Sequence, residues 1–433
     1  CYYRKKNIFI RNLNNIKQFF TDASTGSSNP SNQTYRPIVT LSFAIDHFIA
    51  KGLDPFYFHL NMFIIYIFQL VLMFFIIRKI IDMTSSHKWN IYITFFIVFL
   101  YGLHTVNAET INYISSRSDS YSTFFVLGGF FIYMYFPRIR KLHLYLIPVI
   151  IGILTKEQAV MFAPIFFFYL LIFEFDTDLS QILKKQSFEP LKKSFIKSLP
   201  SILVCGLLGL FVLKMQTSTY TPGGTSQFHY LITQPWVYLR YFLAFFFPVN
   251  LSADTDWVSF TNIFDERAIV GYVFILALII IILKMSKEVR TRPVAFGLIW
   301  FILALLPTSS IIPLAEVTND HRMFYPFVGL SLAIISYLRF LLLKFENKIT
   351  GSTVFKSVIV IFCLLVLSAH AYGVRQRNKV WSSAETLWYD VTIKSPNNGR
   401  GLMNYGLTQM EKGNYDLALE YYNKALLITP YYP

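Results

Sequence analysis

Residues His104 to Asp119 read HTVNAETINYISSRSD and set Glu109, Arg117 and Asp119 between two strongly apolar runs. An ionisable group is expensive inside a bilayer, and at its edge it marks a place that water or a substrate reaches. The same character recurs at Arg36 and His59, at Lys156 and Glu157 in TKEQ, at Asp254 and Asp256 in LSADTDW, and at Glu316, Asp320, His321 and Arg322 in EVTNDHR. Gathered at one membrane face, such groups suit a reaction on a lipid phosphate. The cations hold phosphate oxygens, and a carboxylate takes the proton of an attacking hydroxyl. The plainer expectation is that about half of them pair with one another and close a helix bundle.

The element that must position them is a membrane domain. The chain has 433 residues, 54% hydrophobic and 15% charged, with 44 Phe and 28 Tyr. Apolar runs of ~15–25 residues recur along it, which predicts an all-α, polytopic helix bundle. Ten crossings are expected, at 56–80, 89–103, 120–136, 142–154, 159–173, 199–213, 268–283, 293–306, 323–343 and 354–372. The net charge of +15 sits in short loops, which fits the positive-inside rule better than nucleic-acid binding. That rule puts loops 78–88, 138–141, 184–197, 284–292 and 344–356 in the cytoplasm and the candidate residues outside. An even number of crossings must then separate 184–197 from 284–292, so the weaker run 236–248 is expected to be re-entrant or interfacial. Residues 1–55 read as an external loop with an interfacial helix after Pro37, carrying Val39, Phe43, Ile45 and Phe48 on one face. Cys1, Cys205 and Cys363 make no disulfide framework. His104, Glu109 and Asp119 are too scattered for a metal site, and no cofactor is expected.

After Tyr372 the composition turns soluble. Pro396 and Pro430, Ala384 and Ala418, and Trp388 and Tyr422 each repeat at an offset of 34 residues. Leu402, Gly406, Gly413, Tyr415, Ala418, Tyr422, Ala425 and Pro430 stand at tetratricopeptide spacing. The expected domains are therefore 1–55, 56–374 and 375–433, the last a truncated repeat array, since so few repeats bury no solenoid core alone. The start at CYYRKKN, without Met, is expected to follow a lost upstream membrane helix.

The order YRP, HLN, LHTVNAETINYISSRSD, TKEQ, LSADTDW, EVTNDHRMFYPFVG and then repeats resembles the transmembrane and tetratricopeptide repeat-containing O-mannosyltransferases, with a bacterial member of that group expected. The resemblance runs from Tyr35 to the end. It implies a type C glycosyltransferase fold that takes a sugar, usually mannose, from a polyprenyl- or dolichyl-phosphate donor. The sugar goes to Ser or Thr hydroxyls of a protein acceptor in the periplasm or ER lumen, with the repeats recruiting that acceptor. Arg36 and Pro37 match the family's YRP, His59 its HL turn, Glu109 its HTE-like element, Arg117 and Asp119 its GRAD-like element, Lys156 and Glu157 its KEQ, and Arg322 and Tyr325 its RxxYxP. Glu109 and Asp119 are thus the expected catalytic carboxylates. Arg36, His59, Arg117, Lys156, His321 and Arg322 are the expected donor-phosphate residues, with Arg117 and Arg322 gripping together. The family's acidic pair in the first external loop has no match before Tyr35, where Asp22 stands alone, so the resemblance implies a general base upstream. A lipid-linked sugar flippase would show internal symmetry and charges at the midplane, and a membrane-anchored repeat scaffold would need fewer spans.

Overall fold

A computed structural model describes residues 7–30, 33–216, 225–309 and 313–430; Cys1 and the first residues lie outside the described ones. The described residues form helices and no strands. In chain order the main helices are α1 (Pro37–Ala50), α2 (Pro55–Thr84), α3 (Asn90–Gly102), the short α4 (Asn107–Asn112), α5 (Arg117–Tyr135), α6 (Leu146–Thr155) and α7 (Glu157–Glu174). There follow α8 (Phe188–Lys214), α9 (Gln227–Phe246), α10 (Glu266–Ser286), α11 (Arg292–Leu305), α12 (Pro326–Lys344) and α13 (Thr353–Val380). Three tail helices close the series, α14 (Ala384–Lys394), α15 (Gly399–Glu411) and α16 (Tyr415–Ile428).

Among the described residues seven helices, α2, α7, α8, α10, α11 (as Val289–Thr308), α12 and α13, are long and apolar enough to cross a membrane. The chain is an integral, multi-pass membrane protein. The most apolar stretch of α13 is 0% buried and that of α10 22%; water would not tolerate such apolar faces, and lipid covers them at no cost. The other three expected crossings are helices of a different kind. α3 and α6 are short, and α5 begins with the buried polar run Arg117 to Thr123, so its polarity faces protein rather than lipid.

Helix contact inside lipid gains little from hydrophobicity and depends on close packing of small residues. The α11–α12 crossing shows this. A Cβ on Gly297 would stand 2.4 Å from the Gly329 carbonyl oxygen, and one on Gly329 would stand 2.5 Å from that of Gly297. Trp300 and Phe296 pack beside the crossing and connect it to Phe130 and Tyr169 in the main core.

Contacts between loops fix the two ends of the bundle. Lys197 and Arg140 both reach Glu174, Arg292 reaches Asp176, Leu179 N donates to Ser286 Oγ, and His87 pairs with Glu346. The positive loops therefore share one end. The candidate residues share the opposite one, called the site end below. α9 runs along the site end. Near its start the Tyr230 hydroxyl donates to Thr308 O, at the end of α11. Near its finish Phe245 packs on Phe327, at the start of α12, and on His104. Its two ends thus meet one level of the α11–α12 pair.

One expectation needs correcting. α1 does not present one apolar face: Val39, Phe43 and Ala44 join a small core with Ile10, Phe19, Phe58 and Met62, whereas Ile45 and Phe48 are exposed and Asp46 is buried. α13 continues unbroken across residues 374 and 375 to Val380. The tail packs as a hairpin of α15 on α16, with Gly406 against Tyr422 and Ala418.

Candidate functional site

Two segments meet over the first turns of α5. α6 stops at Thr155 because Lys156 turns to extended backbone (φ −157°, ψ 137°). That turn aims Lys156 Nζ at Asp119 Oδ1, 2.6 Å away, while Gln158 Nε2 donates to Ser122 Oγ at 2.8 Å. Arg36 stands just before Pro37, whose fixed φ starts α1. Its Nη2 donates to both oxygens of Glu157, at 3.0 and 3.3 Å, and its Nη1 lies 3.5 Å from Ser118 Oγ.

The second component is a carboxyl–imidazole pair. Glu109, on α4, places Oε1 3.0 Å from His321 Nδ1, and only 3% of its side chain is exposed. Burial, and after it the Asp320 carboxylate, pushes the Glu109 carboxyl well above the usual carboxylate range. Burial, and after it Lys156 and Arg322, pushes the imidazole well below its ordinary value. Both shifts run toward the uncharged forms, a protonated carboxyl beside a neutral ring. In those forms the carboxyl donates to Nδ1, and the ring proton sits on Nε2. Glu109 Oε2 has no hydrogen-bond partner, nor does Arg377 Nη2, although Arg377 acts electrostatically on Glu109.

Arg322 completes the group. It is buried; its Nη1 lies 3.5 Å from Val317 O and its Nη2 3.5 Å from Glu316 Oε2, and the Tyr230 hydroxyl also interacts with its side chain. The loop that carries it is held firmly. Arg240 donates to Asp320 Oδ1 at 3.1 Å and to Thr318 Oγ1 at 3.2 Å, and its guanidinium stacks 5.2 Å from the Trp257 ring. Ser252 N donates to the other Asp320 oxygen at 2.9 Å. Burial works against the Glu316 carboxyl, but Arg400 and Arg322 hold it below its usual range.

Arg36, Lys156, Arg322, Asp119, Glu109 and His321 thus come together. Arg117 and His59 do not, which corrects the expected joint grip of Arg117 and Arg322. Arg117 is 0% exposed and forms an ion pair of 2.5 Å with Asp46. Its other bonds go to Ser42 Oγ (3.1 Å) and Phe58 O (2.8 Å), and the Phe43 ring lies 4.4 Å from its guanidinium. A phosphate would have to displace Asp46 from a sealed pocket to reach it. His59 is exposed beside α4, in a cleft of 510 Å³ lined also by Phe56, Phe63, Asn107, Ile111 and Val374. Asp22 is occupied as a helix cap, accepting from Ser24 N and Ser24 Oγ at 2.8 Å each.

Arg240, Arg377 and Arg400 escaped the sequence reading. Arg240 had a signal, an arginine inside an apolar run that something must neutralise. Arg377 and Arg400 lie in polar sequence, where nothing sets them apart. Among the described residues no three His, Cys, Asp or Glu side chains gather as a metal-ligand set.

No family model matches this chain, and no solved structure matches it. Two curated proteins are similar to it. Protein O-mannosyl-transferase TMTC3 of Mus musculus is 22% identical over 449 aligned positions, covering 93% of this chain and 45% of the relative. The Homo sapiens protein of the same name is 21% identical, covering 93% and 46%. The chain spans about half the length of the curated relatives it matches. The similarity to these transferases extends over nearly the whole chain.

Proposed function

We propose that this chain is the membrane part of a glycosyltransferase that moves a sugar, mannose by the names of its relatives, from a polyprenyl- or dolichyl-phosphate donor to Ser or Thr hydroxyls of a protein, at the non-cytoplasmic face. The observation that carries the reading is the convergence of Arg36, Lys156 and Arg322, from three distant segments, on His321 of the Glu109–His321 pair, where all three act electrostatically on the ring. Cations fixed before the reaction stabilise a leaving phosphate without reorganising, and in a site shielded from water they act strongly.

In the reaction the acceptor oxygen bonds to the anomeric carbon. The bond from that carbon to the phosphate oxygen breaks, and the phosphate leaves with the electron pair. Arg322 meets the phosphate oxygens; Lys156 and Arg36 complete the positive wall. His321 donates from Nε2 to a phosphate oxygen, with Glu109 holding the tautomer that makes this possible. Asp119, fixed by Lys156, receives the acceptor's proton. The cleft beside His59, with its apolar lining, suits the isoprenoid chain.

The test is transfer of mannose from dolichyl-phosphate mannose to a Ser/Thr peptide by the purified full-length protein. Arg322→Ala should lower turnover by ~10²-fold or more, and Arg322→Lys should recover little of it, because an ammonium cannot grip two oxygens as a guanidinium does. Turnover by folded Arg322→Ala within about threefold of wild type would remove the central cation from the mechanism.

A further inference from the structure

The tail is joined to the site end by a specific set of bonds. Lys394 Nζ donates to Leu251 O at 2.7 Å, Ser395 Oγ to Asp254 O at 3.2 Å, Asn397 N to Asp256 Oδ2 at 3.2 Å, and Asn398 Nδ2 to Thr255 O at 3.0 Å. The LSADTDW loop is therefore clasped by the turn between α14 and α15. Arg400, in the first turn of α15, forks across this junction. Its Nε bonds Asp254 Oδ2 at 2.6 Å, and its Nη2 bonds Glu316 Oε1 at 2.7 Å. The second oxygen of Glu316 is the one that lies 3.5 Å from Arg322 Nη2. One carboxylate thus stands between two guanidinium groups, and the shorter bond belongs to the tail.

We propose that Arg400 is a positioning residue through which the repeat tail controls the phosphate affinity of Arg322: it holds Glu316 back, so that the Arg322 donors stay available to a donor phosphate. This rests on the reading of Arg322 as a phosphate-binding cation. A carboxylate and a phosphate compete for the same planar fork of donors. With Arg400 in place, Glu316 spends its short bond on the tail and keeps only a long contact with Arg322. Without Arg400, Glu316 closes on Arg322 as a bidentate pair, and a phosphate must displace it. Such a pair is strong enough to weaken phosphate binding about tenfold or more. The coupling is reciprocal by necessity: donor binding at Arg322 favours the docked tail, and any acceptor that loosens α14–α15 loosens the hold on the donor.

The experiment measures binding of dolichyl phosphate to the full-length protein in nanodiscs, and KM and kcat with dolichyl-phosphate mannose. Arg400→Gln should raise Kd and KM about tenfold with kcat nearly unchanged. Adding Glu316→Gln should bring both back to within about threefold of wild type, because the competitor is gone. A merely structural Arg400 would leave the double variant as impaired as the single one, and that result overturns the proposal, as does wild-type binding by Arg400→Gln. Should the unpaired Asp254 unfold Arg400→Gln, the pair Asp254→Asn/Arg400→Gln, with and without Glu316→Gln, carries the same comparison. The underlying reading is tested separately by Arg322→Gln. Unchanged dolichyl phosphate binding there defeats that reading, whereas weakened binding there with no rescue by Glu316→Gln defeats only the role of Arg400.

Discussion

Arg117 offers the sharpest contrast between a residue that matches a functional motif and one that holds a fold together. Its guanidinium is sealed, with Asp46 at 2.5 Å and the rings of Phe43, Phe58 and Tyr121 at 4.4, 5.8 and 5.5 Å from its central carbon. Arg117→Ala leaves Asp46, itself 2% exposed, as an uncompensated buried charge. Breaking such a pair costs about 3–5 kcal/mol. Loss of the stacked cation adds to that, though not as a simple sum, by up to ~2 kcal/mol. Even the lower figure shifts the folded-to-unfolded ratio by about two orders of magnitude. Removing both charges, as Arg117→Met with Asp46→Leu, should be near neutral, since an apolar pair of similar volume replaces a desolvated ion pair. The assay is thermal unfolding of detergent-solubilised protein followed by dolichyl phosphate binding of the folded fraction. Arg117→Ala should melt far earlier, the double variant should recover most of the loss, and the folded fraction of each should bind as wild type does. If Arg117→Ala keeps its stability but loses dolichyl phosphate binding, the clamp argument is wrong and Arg117 belongs to the phosphate site.

Further outcomes follow from the same geometry. The Glu109 carboxyl is raised from its ordinary 4.5, so the stability it contributes is present below that pH and is lost as pH rises through the raised value. His321 is lowered from 6.5, so its contribution is present above that pH and is lost as pH falls through the lowered value. Glu109→Gln should therefore abolish the loss on raising pH above 4.5, which has a slope of at most about 1.4 kcal/mol per pH unit, and leave the loss on lowering pH in place. Melting temperatures of Glu109→Gln that keep the wild-type fall on raising pH would show that the Glu109 carboxyl is not raised by its burial. Gly297→Leu should destabilise the bundle by ~3 kcal/mol or more, because the Gly329 carbonyl oxygen stands 2.4 Å from the new Cβ; normal yield and melting of that variant would contradict the close crossing. In a cysteine-free background an impermeant thiol reagent applied to the outside of intact cells should fail to label Lys185→Cys and should label Ser382→Cys in the tail. The reverse pattern would invert the proposed orientation.

Most of the architecture was legible along the chain, because a bilayer imposes one rule on every segment. Backbone groups must bond within their own helix, and a stretch that meets lipid must be apolar for its whole length. Apolar runs such as 56–80 and 268–283 therefore announce their helices without reference to any neighbour, and the lysines and arginines between them sort the loops to one end. Motif residues such as Glu109, Lys156 and Arg322 were legible for the related reason that charge beside lipid needs an explanation. What each charge does was decided by the tertiary structure, because an ionisable side chain takes its role from what stands within a few ångströms, and those partners come from remote segments. Arg117 and Arg322 look alike in sequence. Asp46, from a helix read as interfacial, closes on Arg117 and makes it a clamp, whereas Glu316, bonded at 2.7 Å to Arg400 from the tail, stands 3.5 Å from Arg322. α5 is the same case at the scale of a helix: its polar first turns are stable only because Lys156, Gln158 and Arg36 are brought over them, and no property of residues 117–135 alone supplies those partners.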